Sequence, residues 1–404
     1  MSTSDNNDVA ADGGERVVPL LIVGGGIGGL ATALAVARTG TPVHLIEQAP
    51  EFTEIGAGLQ IGANATRVLH RLGVLDAVER VAVHPQRAVM RDAISGEKLT
   101  GLTLGKTYRR RYGFPYLVMH RSDLLQILVD ACTAEPRITL ENDRTVTGVE
   151  LGDETAAVTC ADGSVYRAGI VVGADGLRSR LRRLFADDEP VCSGYVAYRG
   201  TQPIEDVVTE VDANDVVLWV GPRMHLMQYP VRAGALYNQV AVFHSETFAS
   251  GSEEWGTPEE LDEIYSGTVG PVRASAASVS RARHWPLFDR EPLDRYVRGR
   301  VVLLGDAAHP MLQVLGQGAC QALEDAVCLA DKLAEHPEDA DKALAAYEEV
   351  RLPRTTRCQR AARPWAETWH LTDPLALALR NRLFRSRADD DYSELDWLYA
   401  DTTA

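Results

Sequence analysis

The chain has 404 residues, of which 45% are hydrophobic and 24% are charged, and its formal net charge is −16 at pH 7. This balance is typical of a water-soluble globular protein with two or three domains, and the acidic surplus excludes nucleic acid as a partner because no basic field opposes the phosphates. The six cysteines show neither C-x-x-C nor metal-ligand spacing, so we expect reduced, mostly buried thiols, no metal site and a cytoplasmic protein.

The N-terminal region holds a polar tail and an apolar segment that must be told apart from a membrane helix. Residues 1–16 are polar and acidic, which predicts a disordered tail rather than a signal peptide. Residues 17–37 carry no charge, but Pro19 and five glycines interrupt them, and the pattern changes from strand to helix within them. We therefore expect no transmembrane segment.

A dinucleotide-binding pattern follows, in which strand, turn, helix and second strand succeed one another. Gly24, Gly26 and Gly29 form G-x-G-x-x-G. The first glycine allows a tight turn, the second lets a pyrophosphate approach the backbone, and the third permits close helix–strand packing. Glu47 ends the second strand 18 residues after Gly29 (47 − 29), where its carboxylate can accept hydrogen bonds from a ribose. The pattern predicts a nucleotide site but does not separate NAD from FAD.

The next segments continue the alternation of helices and strands. Residues 65–81 have apolar side chains at helical spacing, and Ser122 is a plausible N-cap of another helix. Arg121 can reach a polar ligand there or pair with an acid. A buried strand over 169–172 leads into Gly-Ala-Asp-Gly and a basic helix. Asp175 in that turn suits a ligand site and a simple turn equally well.

From about residue 190 to 285, short alternating segments predict the antiparallel strands of a second domain. His225, Met227 and Tyr229 alternate along one of these strands, so they share a face. The strand places His225 about 13 Å from Tyr229 at ~3.3 Å per residue, which spans an aromatic ring with a substituent at each end. From spacing alone, a histidine packed within the sheet is the stronger alternative.

Three separated motifs together resemble the single-component FAD-dependent aromatic hydroxylases, the p-hydroxybenzoate hydroxylase-like flavoprotein monooxygenases. They are GGGIGGLATALAVARTG with Glu47, GADGLRSRLR, and LLGDAAHP. The resemblance implies an α/β fold, with a Rossmann-like FAD-binding domain, an inserted antiparallel-sheet substrate domain and C-terminal helices. The segments expected for these parts are, in the same order, 17–80 with 109–185 and 285–345, then 81–108 with 186–284, and finally 346–404.

The same resemblance implies tightly bound, non-covalent FAD and NADH as a co-substrate. The residues implied to bind FAD are Gly24, Gly26, Gly29, Glu47, Arg121, Asp175, Asp306, Gly316 and Gly318. The motif around Asp175 is also implied to serve the nicotinamide cofactor. A glycine-rich turn at a helix N-terminus is a ready anion site, and reduced flavin is anionic. His309 belongs to the LLGDAAHP signature and precedes Pro310, so we expect it to shape the loop rather than to catalyse.

Within this family, GPRMHLMQYP and HPMLQVLGQGA most resemble the 3-hydroxybenzoate 6-hydroxylases, which form gentisate through a flavin C4a-hydroperoxide. The resemblance implies that His225 and Gln313 contact the substrate phenol and that Tyr229 helps to hold the ring, with Met227 as an apolar wall. A histidine can act as general base, whereas the amide of Gln313 can only orient the oxygen. No arginine is placed clearly enough to be named for the carboxylate.

Other activities and the assembly state stay open at this point. Salicylate 1-hydroxylase and hydroxynicotinate monooxygenase are alternatives within the same family. A flavin reductase that never hydroxylates is the alternative from another class. The partners we expect are a small aromatic hydroxy acid, O2 and NADH, and we expect a homodimer.

Overall fold

The computed structural model describes residues 15–53, 57–207 and 214–400. The expected disordered tail lies outside these residues, except that Glu15 and Arg16 already belong to the first strand. The strands of the described chain are β1 (Glu15–Val23), β2 (Val43–Ile46), β3 (Gly58–Ile61), β4 (Arg87–Asp92), β5 (Lys98–Thr103), β6 (Leu117–His120), β7 (Ile138–Glu141), β8 (Val146–Leu151), β9 (Ala156–Cys160), β10 (Val165–Gly173), β11 (Val191–Pro203), β12 (Asp215–Gly221), β13 (Met224–Val231), β14 (Leu236–His244), β15 (Trp285–Asp289), β16 (Val297–Arg298) and β17 (Val301–Leu303).

The helices surround two large sheets and dominate the C-terminal part. They are α1 (Ile27–Arg38), α2 (Ala63–Arg71), α3 (Leu75–Val81), α4 (Lys106–Tyr112), α5 (Arg121–Thr133), α6 (Glu246–Ala249), α7 (Pro258–Ser266), α8 (Gly270–Ser278), α9 (Gly318–Glu335), α10 (Ala340–Trp369), α11 (Pro374–Arg385) and α12 (Asp396–Tyr399). No helix in the described ranges is long and apolar enough to cross a bilayer.

The first sheet has eight strands and carries the Rossmann-like pattern. Its main path runs β16-β17-β10-β1-β2-β7, and β9 and β8 extend it from β10. The pairs β10–β1, β1–β2, β2–β7 and β10–β17 are parallel, so their carboxyl ends meet at one edge. Leu21 and Ile22 in central β1 are fully buried, as expected for a parallel strand covered on both faces. Helix α1 packs against α5 and α9 at this sheet.

The second sheet has seven strands in the order β15-β11-β14-β13-β12-β4-β5. Its neighbours are antiparallel except β12 and β4, which are parallel. The fold class is therefore confirmed as α/β with an inserted, mainly antiparallel sheet. Residues 285–289 form β15 and pair with β11, so they belong to this sheet and not to the FAD-binding segment expected from residue 285. The other domain boundaries stay predictions.

Alternation along β13 gives its two sides different neighbours. Met224 and Leu226 pack with residues of α7 and α8 in one apolar cluster. Tyr265 of α7 donates its hydroxyl hydrogen bond to the His225 carbonyl at 2.6 Å. The opposite face, with Met227 and Tyr229, packs with residues of the loops that precede β3 and α9. This second face is the one that meets the FAD-binding part of the chain.

The helical spacing over 65–81 corresponds to two helices, α2 and α3, divided near Gly73, whose φ is +64°. Two local expectations were wrong. Ser122 is not an N-cap, because the helix begins at Arg121 and its N-cap is His120. The Ser122 hydroxyl instead forms a hydrogen bond with the His120 ring. The basic helix after residue 175 is only a short 3-10 turn, since buried Arg182 is held by Asp188 and by the Ala308 carbonyl.

Helices α7 and α8 were not anticipated within the alternating region. Thr257 caps α7 by accepting a hydrogen bond from the Glu260 amide, and Pro258 occupies the first turn. This Thr-Pro-Glu-Glu pattern is a recognised helix start. The signal for α7 was therefore present in the sequence.

Candidate active site

The glycine motif forms a tight turn between β1 and α1. Gly24 has φ +113°, and a Cβ there would lie 2.3 Å from the Ala174 carbonyl oxygen. A Cβ on Gly29 would lie 1.9 Å from the Gly24 carbonyl oxygen, so only glycine permits this helix–strand approach. At Gly26, by contrast, no atom of the described residues comes within 4 Å of an added Cβ. The turn is therefore closed on the protein side and open at the N-terminus of α1, as a pyrophosphate requires.

Glu47 lies at the end of β2 beside this turn. Its carboxylate accepts hydrogen bonds from the Gly25 amide at 2.6 Å and the Ala49 amide at 2.9 Å. These bonds fix the carboxylate at the edge where the parallel strands end. The position suits a ribose, and that contact stays a prediction.

Asp175 lies in the turn after β10, next to the glycine turn. Its Oδ2 accepts hydrogen bonds from the Arg180 amide at 2.7 Å and the Leu181 amide at 3.3 Å. Burial raises the pKa of this carboxyl, and Oδ1 has no partner within the described part of the chain. The contacts present are those of a side chain closing a turn, and a role toward FAD or NADH stays a prediction.

The loop before α9 carries further residues that the sequence predicted for FAD. Asp306 is exposed there, and its Oδ1 lies 3.8 Å from the position of a Cβ on Gly318, the first residue of the 18-residue helix. Gly316 has φ +62°, in the left-handed region where glycine is favoured. The turn therefore leaves the N-terminal amides of α9 beside an exposed carboxylate.

Buried charged side chains stabilise this loop from the protein interior. His309 is fully buried, and its Nε2 lies 2.6 Å from Oδ2 of Asp325. Arg351 donates to Asp325 and Glu324, each at 2.7 Å. Burial opposes the charge on Asp325, yet His309 and Arg351 lower the pKa of its carboxyl to about 2. His309 thus has the structural place in the loop that the sequence predicted.

The predicted face of β13 carries the residues assigned to the aromatic substrate. His225 is 2% exposed, and burial lowers its pKa well below the ordinary value, so the ring is a neutral imidazole at pH 7. Its Nδ1 lies 2.7 Å from Nε2 of His370, and Trp369 packs edge-on against it at 5.1 Å. A neutral histidine is a competent proton acceptor.

Tyr229 lies on the same face and packs against the start of β3. A Cβ on Gly58 would fall 2.3 Å from the Tyr229 ring, so the missing side chain makes room for it. The Gly58 amide donates to Oδ1 of Asn238 at 2.7 Å, which ties β3 to the sheet. Burial raises the pKa of the Tyr229 hydroxyl, so it is a hydrogen-bond donor at neutral pH.

The loop with Gln313 reaches this face. Met311 packs with the cluster that contains Tyr229, and Val314 packs with the cluster that contains Trp369. Met227 is half-buried and borders both clusters. The structure therefore brings the loop that follows LLGDAAHP to the β13 face, and the substrate contact of Gln313 stays a prediction.

Arg199 is the residue of this face that the sequence reading missed. It lies on β11, and its Nη2 donates to the Gln313 amide oxygen at 3.0 Å. Its Nε is buried with no hydrogen-bond partner, and no carboxylate pairs with the guanidinium, among the described residues. Burial, and then the charge of Arg121, lower the pKa of Arg199. The alternation of Tyr195, Ala197 and Arg199 along an inward face was an available signal.

The family profile described as FAD binding domain matches residues 17–362. The 3-hydroxybenzoate 6-hydroxylase of Klebsiella oxytoca is 37% identical over 95% of this chain and 97% of its own length. The 3-amino-4-hydroxybenzoate 2-monooxygenase of Streptomyces cremeus is 36% identical over 96% of each chain. Among solved structures, Klebsiella pneumoniae HpxO complexed with FAD and uric acid superimposes with a TM-score of 0.81, at 26% identity over 92% of this chain and 93% of its own.

Proposed function

Because this chain belongs to the FAD-binding domain family and is an FAD-dependent aromatic monooxygenase, we propose that it hydroxylates 3-hydroxybenzoate para to the phenol oxygen, forming gentisate with NADH and O2. The observation that supports 3-hydroxybenzoate as the substrate is the arrangement of side chains on the face of β13. There a neutral histidine and a tyrosine lie on one apolar surface, and the same face carries Arg199, which donates to Gln313 and has no acidic partner among the described residues.

The residues that would hold FAD fit that group. Gly24, Gly26 and Gly29 leave the amino end of α1 open for the pyrophosphate. Glu47 is held where the ribose would lie, and Asp306 faces the N-terminus of α9. When bound, FAD takes electrons from NADH and with O2 supplies an electrophilic oxygen atom to the ring.

His225 takes the phenol proton at Nε2, because its Nδ1 is occupied by the hydrogen bond to His370. A phenol has a pKa of about 10, so forming the phenolate at neutral pH costs roughly 4 kcal/mol at ~1.4 kcal/mol per unit. His225 gives the proton a path away from the phenol, and hydrogen bonds to the phenolate oxygen offset part of that cost. The phenolate oxygen then directs attack to the para carbon.

Gln313 donates to the phenolate oxygen. A guanidinium has only donors, so the amide oxygen of Gln313 must be the atom that faces Arg199. The NH2 group of the amide is therefore directed elsewhere and can donate. An anionic oxygen gains more from such a bond than a neutral phenol does, so Gln313 favours the ionised substrate.

Arg199 binds the substrate carboxylate, with the Tyr229 hydroxyl as a second donor. A partly buried guanidinium without an acidic partner is costly unless a ligand supplies the negative charge. Its unused Nε–H and its electrostatic contact with Tyr229 support this assignment. The apolar surroundings, including Met227, keep water from the reacting carbon.

A panel of aromatic acids tests the proposal. FAD-loaded protein is given NADH and O2 with 3-hydroxybenzoate, salicylate, 6-hydroxynicotinate or 3-amino-4-hydroxybenzoate, and the products are identified by mass spectrometry. Gentisate from 3-hydroxybenzoate as the preferred reaction supports the proposal. Catechol and CO2 from salicylate as the main reaction would exclude it, and NADH oxidation without any ring product would favour a reductase.

One rival substrate has an observation of its own. The relative that acts on 3-amino-4-hydroxybenzoate is almost as similar as the 3-hydroxybenzoate enzyme, at 36% against 37% identity. That substrate places the hydroxyl para to the carboxylate, which changes its distance from a carboxylate anchor. Relative kcat/KM for the two acids decides between them.

The proposal also includes NADH as the electron donor and a homodimer, both from the family resemblance. Comparison of NADH with NADPH at equal concentrations tests the first. Light scattering of the FAD-loaded protein tests the second.

A further inference from the structure

The molecule contains a hydrogen-bonded pair of nearly coplanar histidine rings at the substrate face. Nδ1 of His225 and Nε2 of His370 are 2.7 Å apart, their ring centroids are 5.0 Å apart, and the rings are inclined by 19°. The two residues are 145 positions apart in the chain. Both are buried, with exposed fractions of 2% and 7%. Such a short contact between two imidazoles requires that one donates a proton to the other.

The fold fixes the position of His370. It is the C-cap residue of α10, and its amide donates to the Glu367 carbonyl. Its own carbonyl accepts a hydrogen bond from the Arg223 amide at 3.2 Å, which joins the helix end to the turn before β13. Trp369 packs edge-on against His225 from the same helix end. The second imidazole is therefore held by backbone contacts rather than by a flexible side chain alone.

We propose that His370 is a proton-relay and positioning residue, which sets the tautomer of His225 and carries the phenol proton away from the substrate. This inference rests on the proposed function, since it needs a phenol at His225. His225 can accept at Nε2 only if its Nδ1 carries a hydrogen, and Nε2 of His370 is the acceptor that holds this hydrogen. As the phenol O–H bond breaks and a proton joins Nε2 of His225, the Nδ1 proton moves to Nε2 of His370, and His370 releases its own Nδ1 proton.

Burial explains why a relay is needed. Burial lowers the pKa of His225 well below its ordinary value. Burial first, and then the charges of His244 and Arg380, lower the pKa of His370 to about 3. Neither ring therefore stores a proton at pH 7. Phenolate can accumulate only if the proton passes through both rings and leaves.

Two further aromatic rings lie on the side of His370 through which the proton would leave. Tyr195 stacks on His370 with centroids 4.5 Å apart, and half-buried His244 meets Tyr195 edge-on at 5.1 Å. In the described chain, Nδ1 of His370 and Nδ1 of His244 are both buried without a hydrogen-bond partner. A buried polar atom in a native protein is normally satisfied by protein or water. We infer that the proton leaves to water at these two nitrogen atoms.

The test uses His370→Gln and His370→Ala in FAD-loaded protein without NADH. Glutamine can complete the hydrogen bond to His225 but cannot pass a proton, whereas alanine removes both. Binding of 3-hydroxybenzoate is followed by stopped-flow ultraviolet difference absorbance, which reports the phenolate, between pH 6 and 9. His44→Gln is the matched control, because His44 is hydrogen-bonded to Glu141 at 2.8 Å in the other sheet.

We expect wild type and His44→Gln to form phenolate alike, and His370→Gln to form it at least about tenfold more slowly, in line with the size of general-base effects. His370→Ala should be slower still and should require higher pH. A wild-type rate in His370→Gln would overturn the relay. Absence of any phenolate signal in the wild type would instead refute the proposed function, so the two failures are distinguishable.

Discussion

Substitution of Arg199 by methionine tests how the substrate carboxylate is recognised. Methionine keeps an apolar stem of similar length but removes the guanidinium that donates to Gln313 at 3.0 Å. A hydrogen bond to a charged group contributes about 1.5–3 kcal/mol, and truncating one partner of a buried charge pair costs about 2–5 kcal/mol. A loss of about 3 kcal/mol corresponds to roughly 100-fold weaker binding at 1.4 kcal/mol per decade.

The assay compares 3-hydroxybenzoate with neutral 3-hydroxybenzamide in wild type and Arg199→Met. We expect the wild type to prefer the acid and the variant to lose that preference, with the change in KM rather than in FAD content. Arg283→Met is the matched control, because Arg283 is exposed and lies over the same Trp285 ring at 5.4 Å, as Arg199 does. That control should keep the preference.

Stability gives a second readout for the same variant. The guanidinium of Arg199 is partly buried without an acidic partner among the described residues, and burial lowers its pKa. Removing an uncompensated charge does not destabilise a protein, so Tm of Arg199→Met without substrate should equal or exceed that of the wild type. An unchanged preference for the acid, or a large fall in Tm, would refute the reasoning.

Three other predictions concern the cofactor site and its support. Gly29→Ala should lower the free energy of unfolding by about 3 kcal/mol through overpacking, whereas Gly26→Ala should fold with a normal Tm but bind FAD weakly, as flavin absorbance after gel filtration would show. Asp306→Ala should also lose FAD while keeping its fold by circular dichroism. The folded-state pKa of Asp325, about 2, lies below the unfolded value of about 3.9, so its stabilisation is present above about pH 4 and is lost as the pH falls toward 2. Urea titrations should therefore show the stability gap to Asp325→Asn closing over that range.

Part of the site could be predicted from the sequence, because it depends on the geometry of short, continuous segments. The spacing of Gly24, Gly26 and Gly29 predicts a tight turn, and the structure shows that larger residues are excluded at Gly24 and Gly29, while Gly26 faces open space. Alternation alone placed His225 and Tyr229 on one face, because side chains of a strand point to opposite sides in turn.

The other features of the site depend on contacts between residues that are far apart in the sequence. Arg199 meets Gln313 across 114 residues, and His225 meets His370 across 145, and neither spacing leaves a periodic pattern. The 3-10 turn after Asp175 replaced the expected helix because Arg182 is tied to carbonyls of the α9 loop, which the composition of the segment does not indicate.

The central claim is that this site hydroxylates 3-hydroxybenzoate with His225 as the base. The most direct measurement supplies FAD-loaded protein with 3-hydroxybenzoate, NADH and isotopically labelled O2, and counts gentisate and H2O2 per NADH consumed. We predict labelled gentisate close to one per NADH in the wild type. In His225→Ala, we predict continued NADH oxidation with the oxygen recovered mostly as H2O2. Wild-type coupling in His225→Ala, or no labelled gentisate from the wild type, would contradict the account.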